Sequence, residues 1–247
     1  MKVYLAGFKT IEKFYVEPTN DIYLLSSFFE HRNGKFGEYV LQERHILDSG
    51  AFSFFGGKKV DWEKYTKDYI NFINQTKQKL FFELDIDKVT SLQHAEYLRK
   101  MIEDGTGKQP IPVWRPSRGV DYWHMMCENF PYVSISASGA YDSAWTRETK
   151  AVPIKRKMIS IAHRNKSKIH GLGFTSTPLL HELPFDSVDS TTWNVGGKFG
   201  NVSQFSKNWK EARRSKPKNM RVKDVKQLHI YNFNNWVKFQ KYAEIYL

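Results

Sequence analysis

The chain has 247 residues, 40% hydrophobic and 15% aromatic; this length fits one barrel-sized α/β domain or two small ones, and the aromatic content excludes a disordered polymer. Lys and Arg number 38 against 26 Asp and Glu, and the net charge of +12 favours a polyanionic partner, although a solvated lysine-rich surface has the same composition. The one cysteine, Cys127, excludes an internal disulfide and a multi-cysteine zinc site, and no run approaches the roughly 20 apolar residues of a membrane span.

In chain order, Met1-Lys2-Val3-Tyr4-Leu5-Ala6-Gly7 has no signal-peptide layout and reads as a first strand over 3–7, so a cytoplasmic protein is expected. Further strands are expected over 22–28, 44–48, 80–87, 111–116, 132–136, 168–174 and 186–190. Several are apolar at consecutive positions, as strands covered on both faces of a parallel sheet must be. Between them the spacing predicts helices. Asp61 caps one with Trp62, Tyr65, Tyr69, Phe72 and Ile73 along a face, and Ser91 caps another with Leu92, Ala95, Leu98 and Ile102 inward, ending near Gly105. Trp123, Met126 and Cys127 share helical spacing, which makes a buried thiol the expected fate of the cysteine. A third helical pattern surrounds Met158, Ile161 and Ala162, and a last long helix over 224–246 carries Val225, Leu228, Trp236, Phe239, Tyr242 and Ile245.

Eight strands alternating with helices predict an α/β fold, a single (β/α)8 TIM barrel over 1–247, with 203–247 as a basic helical C-terminal part. The early βα units look irregular, since too few residues separate Phe28 from Arg44 for a full loop, helix and loop. A doubly wound open sheet is the alternative.

In a barrel the site lies at the strand C-terminal ends. Asp48 ends a strand and begins Asp48-Ser49-Gly50-Ala51-Phe52-Ser53, where the glycine allows close backbone approach; capping of the next turn explains the same aspartate. Glu83, Asp85 and Asp87 alternate, so on a strand they share one face. Asp189 stands near the end of the last strand, followed by Ser190-Thr191-Thr192, whereas Asp186 stands near its start and reads as a turn residue. His170-Gly171-Leu172-Gly173 offers two glycines against which a flat ligand can lie. His163, His170 and His181 form no metal-binding spacing, so no metal and no cofactor is expected. Separate carboxylates aimed into one cavity suit glycosyl chemistry, in which one attacks or stabilises C1′ and another exchanges a proton with the leaving group. By themselves they do not separate base exchange from hydrolysis.

Taken together these runs resemble the tRNA-guanine transglycosylase superfamily, and most of all its small phage branch, the 7-deazaguanine DNA transglycosylases. Asp48-Ser49-Gly50-Ala51-Phe52-Ser53 is similar to the family's Asp-Ser-Gly-Gly-Phe-Gln, with Ala51 and Ser53 as departures. Asp85, the Ser138-Gly139 turn, His170-Gly171-Leu172-Gly173 and Ser187-Val188-Asp189-Ser190-Thr191 follow in the family's order, so the resemblance runs from about Val3 to Gly200.

The resemblance implies Asp189 as nucleophile on C1′, forming a covalent sugar–enzyme intermediate that releases guanine. It implies Asp48 handling the proton on the base, Asp85 reading the guanine edge, and backbone at Ser49, Gly50, Gly139, Gly171 and Gly173 completing the pocket, with Phe52 either stacking on the base or belonging to the core. Phe185-Asp186-Ser187-Val188 also matches the family's Phe-Asp-Cys-Val, so Asp186 stays open as the nucleophile, as does Asp87 as base reader. The family's tRNA enzymes carry a zinc site with three cysteines, which one cysteine cannot build, and this moves the expected substrate from tRNA to DNA. They also carry a glutamine where Val113-Trp114-Arg115-Pro116 stands; Arg115 then meets the incoming base, a phosphate or an ion-pair partner.

The expected partners are DNA and a free 7-deazaguanine base such as 7-cyano-7-deazaguanine, with no membrane. The basic cluster Lys207, Lys210, Arg213, Arg214, Lys216, Lys218, Arg221, Lys223 and Lys226, with Trp209 among it, suits a phosphate backbone or a solvated face. Lys198, Arg213, Arg214, Lys216, Lys218 and Arg221 are the candidate nucleic-acid contacts. A glycosidase and a silent nucleic-acid-binding barrel are the competing readings.

Overall fold

The computed structural model describes residues 1–54, 59–136, 151–174, 176–206, 211–215 (backbone only) and 224–247. Strand β1 (Lys2–Ala6) lies within a seven-stranded parallel sheet. The others are β2 (Leu24–Ser27), β3 (His45–Asp48), β4 (Val113–Trp114), β5 (Tyr132–Ser136), β6 (Lys168–Leu172) and β7 (Ser187–Ser190), in the order β3-β2-β1-β7-β6-β5-β4. The sheet is curled like half a barrel. Single parallel bridges join Leu47 to Phe81 and Phe82 to Ile111, so the chain at 81–82 touches both the β3 and the β4 sides.

The consecutive apolar residues of β1 serve two cores. Val3 and Leu5 join the large cluster beneath the helices, while Tyr4 and Ala6 join Tyr23, Leu25, Ile46, Phe82, Ile111 and Val113 in a second cluster on the opposite face. Burial on both sides explains why these strands lack a polar alternation.

Helix α1 (Phe28–His31) is one turn long, and only a 3-10 turn, Glu38–Leu41, precedes β3. The expected irregularity of the early units is therefore present. Helix α2 (Trp62–Thr76) is capped by Asp61, whose carboxylate accepts from the Lys64 amide at 2.9 Å. Its Tyr69 hydroxyl lies within reach of the carbonyls of Leu47 (3.3 Å) and Phe82 (3.0 Å), holding β3 beside the 81–82 segment. Helix α3 (Leu92–Thr106) is capped by Ser91. It ends at Gly107 rather than Gly105, which lies inside it where a Cβ would come 2.8 Å from Ile70 of α2. Helix α4 (Gly119–Asn129) buries Trp123, Met126 and Cys127, whose thiol burial pushes up to about 12. Helices α5 (Val152–Arg164), α6 (Thr177–Leu180) and α7 (Thr192–Lys198) follow.

The C-terminal part departs from the expected helix over 203–247. An antiparallel strand pair, β8 (Val202–Ser206) and β9 (Glu211–Ser215), comes first, and among the described residues of this part only α8 (Val225–Tyr246) is helical. On α8, Val225 and Ile245 are exposed whereas His229, Asn232, Asn235 and Gln240 are buried. Three of those polar side chains satisfy backbone: Asn232 accepts from the Ser203 amide (2.7 Å), Asn235 from Phe205 (3.1 Å), and Gln240 donates to the carbonyls of Val3 (2.6 Å) and Tyr23 (2.9 Å). The C-terminal helix thus lies against β1, and through Gln240 it also holds Tyr23, the residue before β2. Among the described residues no helix is long and apolar enough to cross a membrane.

The strand expected over 80–87 is the clearest correction. Only Phe81 and Phe82 pair; the Ile86 amide then donates to the Leu84 carbonyl in a three-residue turn, so Glu83, Asp85 and Asp87 do not share a pleated face.

Candidate active site

Parallel strands place their C-terminal ends on one rim, and Asp48, Ser136, Leu172 and Asp189 stand at or beside those of β3, β5, β6 and β7. A cavity of about 400 Å³ opens there. Asp48, Asp85 and Asp189 all line it, with Arg115, Phe52 and Gly173, so the three carboxylates singled out in the sequence meet in one place. The cavity is within the usual range for a small-molecule site.

Asp48 accepts a hydrogen bond from the Gly50 amide at 2.9 Å. Gly50 needs φ +72°, and a Cβ there would fall 2.3 Å from Ser27 Oγ and 2.8 Å from the Phe29 backbone nitrogen, so this turn accepts only glycine. Burial first, and then the charges of Asp85 and Asp189, push the Asp48 carboxyl up to about 7. Two of its neighbours are therefore like charges, and the group can hold or release a proton near neutrality.

Asp85 contacts the Arg115 guanidinium, which also donates to the Asp85 carbonyl at 3.0 Å. Burial raises the Asp85 carboxyl above the usual carboxylate range, while Arg115 and Arg118 oppose that rise. Behind it lies a buried ionic cluster. Glu83, fully buried, accepts from Arg99 (3.0 Å), Arg118 (2.7 Å) and the Val113 amide (2.9 Å). Asp87 accepts from Arg118 at 2.9 Å and lies 3.8 Å from Arg115 Nε. Burial disfavours the Asp87 charge, but hydrogen bonding and charge from Arg118, with Arg115, hold its carboxyl below the usual value. Asp87 is thus an ion-pair residue, and it neither lines the cavity nor caps α3.

Asp189 accepts from the Gly173 amide at 2.6 Å and meets His170 Nε2 at 3.2 Å. Gly173 lies at φ +76°, the conformation that turns its amide back toward β7. Asp186 is at the other end of the strand, accepting from the Ile169 amide at 2.8 Å and meeting His163 at 3.0 Å, outside the cavity. Of the two aspartates on this run, only Asp189 belongs to the site.

Other expected site residues fall elsewhere. Ser49 is fully buried, its carbonyl accepting from Tyr65, and Gly50 supports the turn behind Asp48; neither lines the cavity. Gly171 presents its Cα toward Phe174 and Phe185, where a Cβ would come 2.7 Å from the Phe174 ring, so it is a packing glycine. Arg115 lines the cavity but as the partner of Asp85. Lys198, expected on the nucleic-acid surface, lines the cavity from the last turn of α7. Gly139, Lys207, Lys210, Lys216, Lys218, Arg221 and Lys223 lie outside the described residues, and Arg213 and Arg214 are described only as backbone of β9.

Sequence reasoning missed Ser27, Glu30 and Asn194, which line the cavity from β2, α1 and α7. Ser27 Oγ and Asn194 Oδ1 are buried polar atoms with no hydrogen-bond partner among the described residues. No spacing marks them, because Ser27 is the polar last residue of β2, Glu30 sits in the one-turn α1 and Asn194 in a seven-residue helix. Among the described residues, no group of three or more His, Cys, Asp and Glu could hold a metal ion. No family model, no curated protein and no solved structure matches this chain.

Proposed function

We propose that this protein is a transglycosylase that exchanges guanine in nucleic acid, DNA ahead of tRNA, for a 7-deazaguanine base through a covalent aspartyl–sugar intermediate. The observation that carries the reading is the meeting of Asp48, Asp85 and Asp189 at one cavity. The wider architecture belongs to the same proposal: a (β/α)8 barrel whose eighth strand is the short 81–82 segment, a reading supported by its parallel bridges to Leu47 and Ile111.

In this mechanism Asp189 attacks C1′ as the C1′–N9 bond breaks, and the electron pair leaves on N9. Asp48, neutral below its pKa of about 7, delivers a proton to the departing base. An incoming 7-deazaguanine then gives its N9 proton to the Asp48 carboxylate and attacks C1′, and the sugar–oxygen bond breaks to restore Asp189. A single group that titrates near neutrality serves both half-reactions. Asp85 supplies acceptors for the imino and amino donors of a guanine-like edge, with Arg115 holding it in place. A duplex substrate must first flip the nucleotide out.

Release of labelled guanine from DNA tests the reading. Multiple-turnover release that requires added 7-deazaguanine supports exchange. Release beyond one equivalent per protein without it makes the protein a hydrolase, and none at all makes it a binding protein.

A further inference from the structure

Both hydrogen bonds that Asp189 receives among the described residues end on the same oxygen, Oδ1: the Gly173 amide at 2.6 Å and His170 Nε2 at 3.2 Å. His170 is fully buried, its ring set edge-on to Phe82 with centroids 5.1 Å apart and tilted against Tyr4 at 6.2 Å, so it cannot swing away. Its other nitrogen, Nδ1, meets Ser187 Oγ, and the Tyr132 hydroxyl meets the same Oγ. A carboxylate at Asp189 can only accept, so the proton of a neutral His170 imidazole sits on Nε2, aimed at Oδ1. Nδ1 then accepts from Ser187 Oγ, which in turn accepts from the Tyr132 hydroxyl. Every member of the chain Tyr132–Ser187–His170–Asp189 is satisfied in this direction.

We propose that His170 is the positioning residue of Asp189, its ring held through Nδ1 by Ser187 and Tyr132, holding Oδ1 so that Oδ2 forms the bond to C1′. The inference rests on the base-exchange reading and deepens it. Fixing one carboxylate oxygen removes rotamers that point away from the sugar. In the covalent intermediate Oδ1 becomes the ester carbonyl oxygen and keeps both donors. When the sugar–oxygen bond breaks in the second half-reaction, negative charge returns to a carboxylate already provided with two N–H groups.

The test is single-turnover formation of the covalent protein–DNA adduct on a guanine-containing single-stranded oligonucleotide, trapped by denaturation, with DNA affinity measured alongside. His170→Phe keeps the buried ring and removes the donor; it should slow adduct formation about 100-fold, the usual cost of losing an aimed donor, with the Kd for DNA within about twofold of wild type. His170→Gln carries an N–H to the same reach and should recover most of that loss, which a purely structural role for the ring does not predict. Should His170→Phe fail to fold, Ser187→Ala takes its place and should slow the step about tenfold, the rate equivalent of one ordinary hydrogen bond. A wild-type rate in His170→Phe, or in Ser187→Ala where it replaces it, or equal losses in folded His170→Phe and His170→Gln, overturns the inference alone. A wild-type protein that forms no adduct overturns base exchange and this inference with it.

Discussion

Asp48 carries a proton that the unfolded chain would give up. Its folded carboxyl titrates near 7, because of burial and then of Asp85 and Asp189, against an ordinary value of 3.8. The stability this contributes is complete below about pH 3.8 and is lost as pH rises through 7, since over that window the unfolded state binds fewer protons. Asp48→Asn, which keeps an oxygen for the Gly50 amide, should therefore be more stable than wild type at pH 8, by up to roughly 4 kcal/mol, and converge with it near pH 4. Thermal unfolding across pH measures this, and convergence in the opposite direction would refute it. The same variant should form no adduct, and wild-type adduct formation should decline above about pH 7 as Asp48 loses the proton it delivers. Asp189→Ala should abolish turnover while leaving DNA affinity nearly intact; a turnover assay beside a filter-binding titration checks both. Gly50→Ala places a methyl group against Ser27 and the Phe29 backbone at positive φ, and should cost about 1–3 kcal/mol in urea unfolding together with most of the activity.

At the scale of elements, the buried ions between the 81–87 segment, β4 and the helices beside it do the work that a longer strand would do. Two paired residues, Phe81 and Phe82, anchor the segment to the sheet, and Glu83 and Asp87 then tie it to Arg99, Arg115 and Arg118. Arg118 is nearly inaccessible and serves both carboxylates, so its loss leaves Glu83 with Arg99 and the Val113 amide and Asp87 facing, among the described residues, only Arg115 at 3.8 Å. Arg118→Met should cost about 3–5 kcal/mol in chemical denaturation, as removal of one partner from a buried ion pair does. A loss below about 1 kcal/mol would show that water enters the cluster. The helices were legible because capping and periodicity are local: Asp61 and Ser91 accept from Lys64 and His94 as their positions dictate. The acidic run at 83–87 was not legible, since alternation of carboxylates along the chain says nothing about the guanidinium groups of Arg99 and Arg118 that reach them. Those arginines lie 16 and 35 residues away from Glu83 along the chain.

Across the whole molecule, net charge and the carboxylate-lined cavity are separate matters. The cavity is lined by four carboxylates, Glu30, Asp48, Asp85 and Asp189, against Arg115 and Lys198, which suits the donor-rich edge of a base better than a phosphate. Under the proposed function the excess of +12 acts mainly outside it, in steering the polyanionic substrate. Replacing Lys216, Lys218 and Arg221 together by alanine should weaken DNA binding and reduce the slope of log K against log salt by up to about 0.9 for each phosphate that the variant no longer neutralises. Titrations at several salt concentrations measure it, and an unchanged slope removes these residues from the interface.

By itself the sequence determined the alternation of strands and helices, the helix caps, the buried Cys127 and the placing of Asp48 and Asp189 at strand ends, because each follows from local spacing and burial. It also left Asp186 and Asp189 open, three residues apart on the same run. Only the tertiary structure decided between them, since the strand carries one to each end of the sheet and the cavity that gathers the other carboxylates lies at one end. Tertiary structure likewise made framework of Gly171, an expected site residue, and of Asp87, the open alternative to Asp85, and brought Ser27 and Asn194 to the cavity. The physical reason is common to all four: whether a side chain faces a ligand or a neighbour depends on elements distant in the chain, which no local pattern encodes.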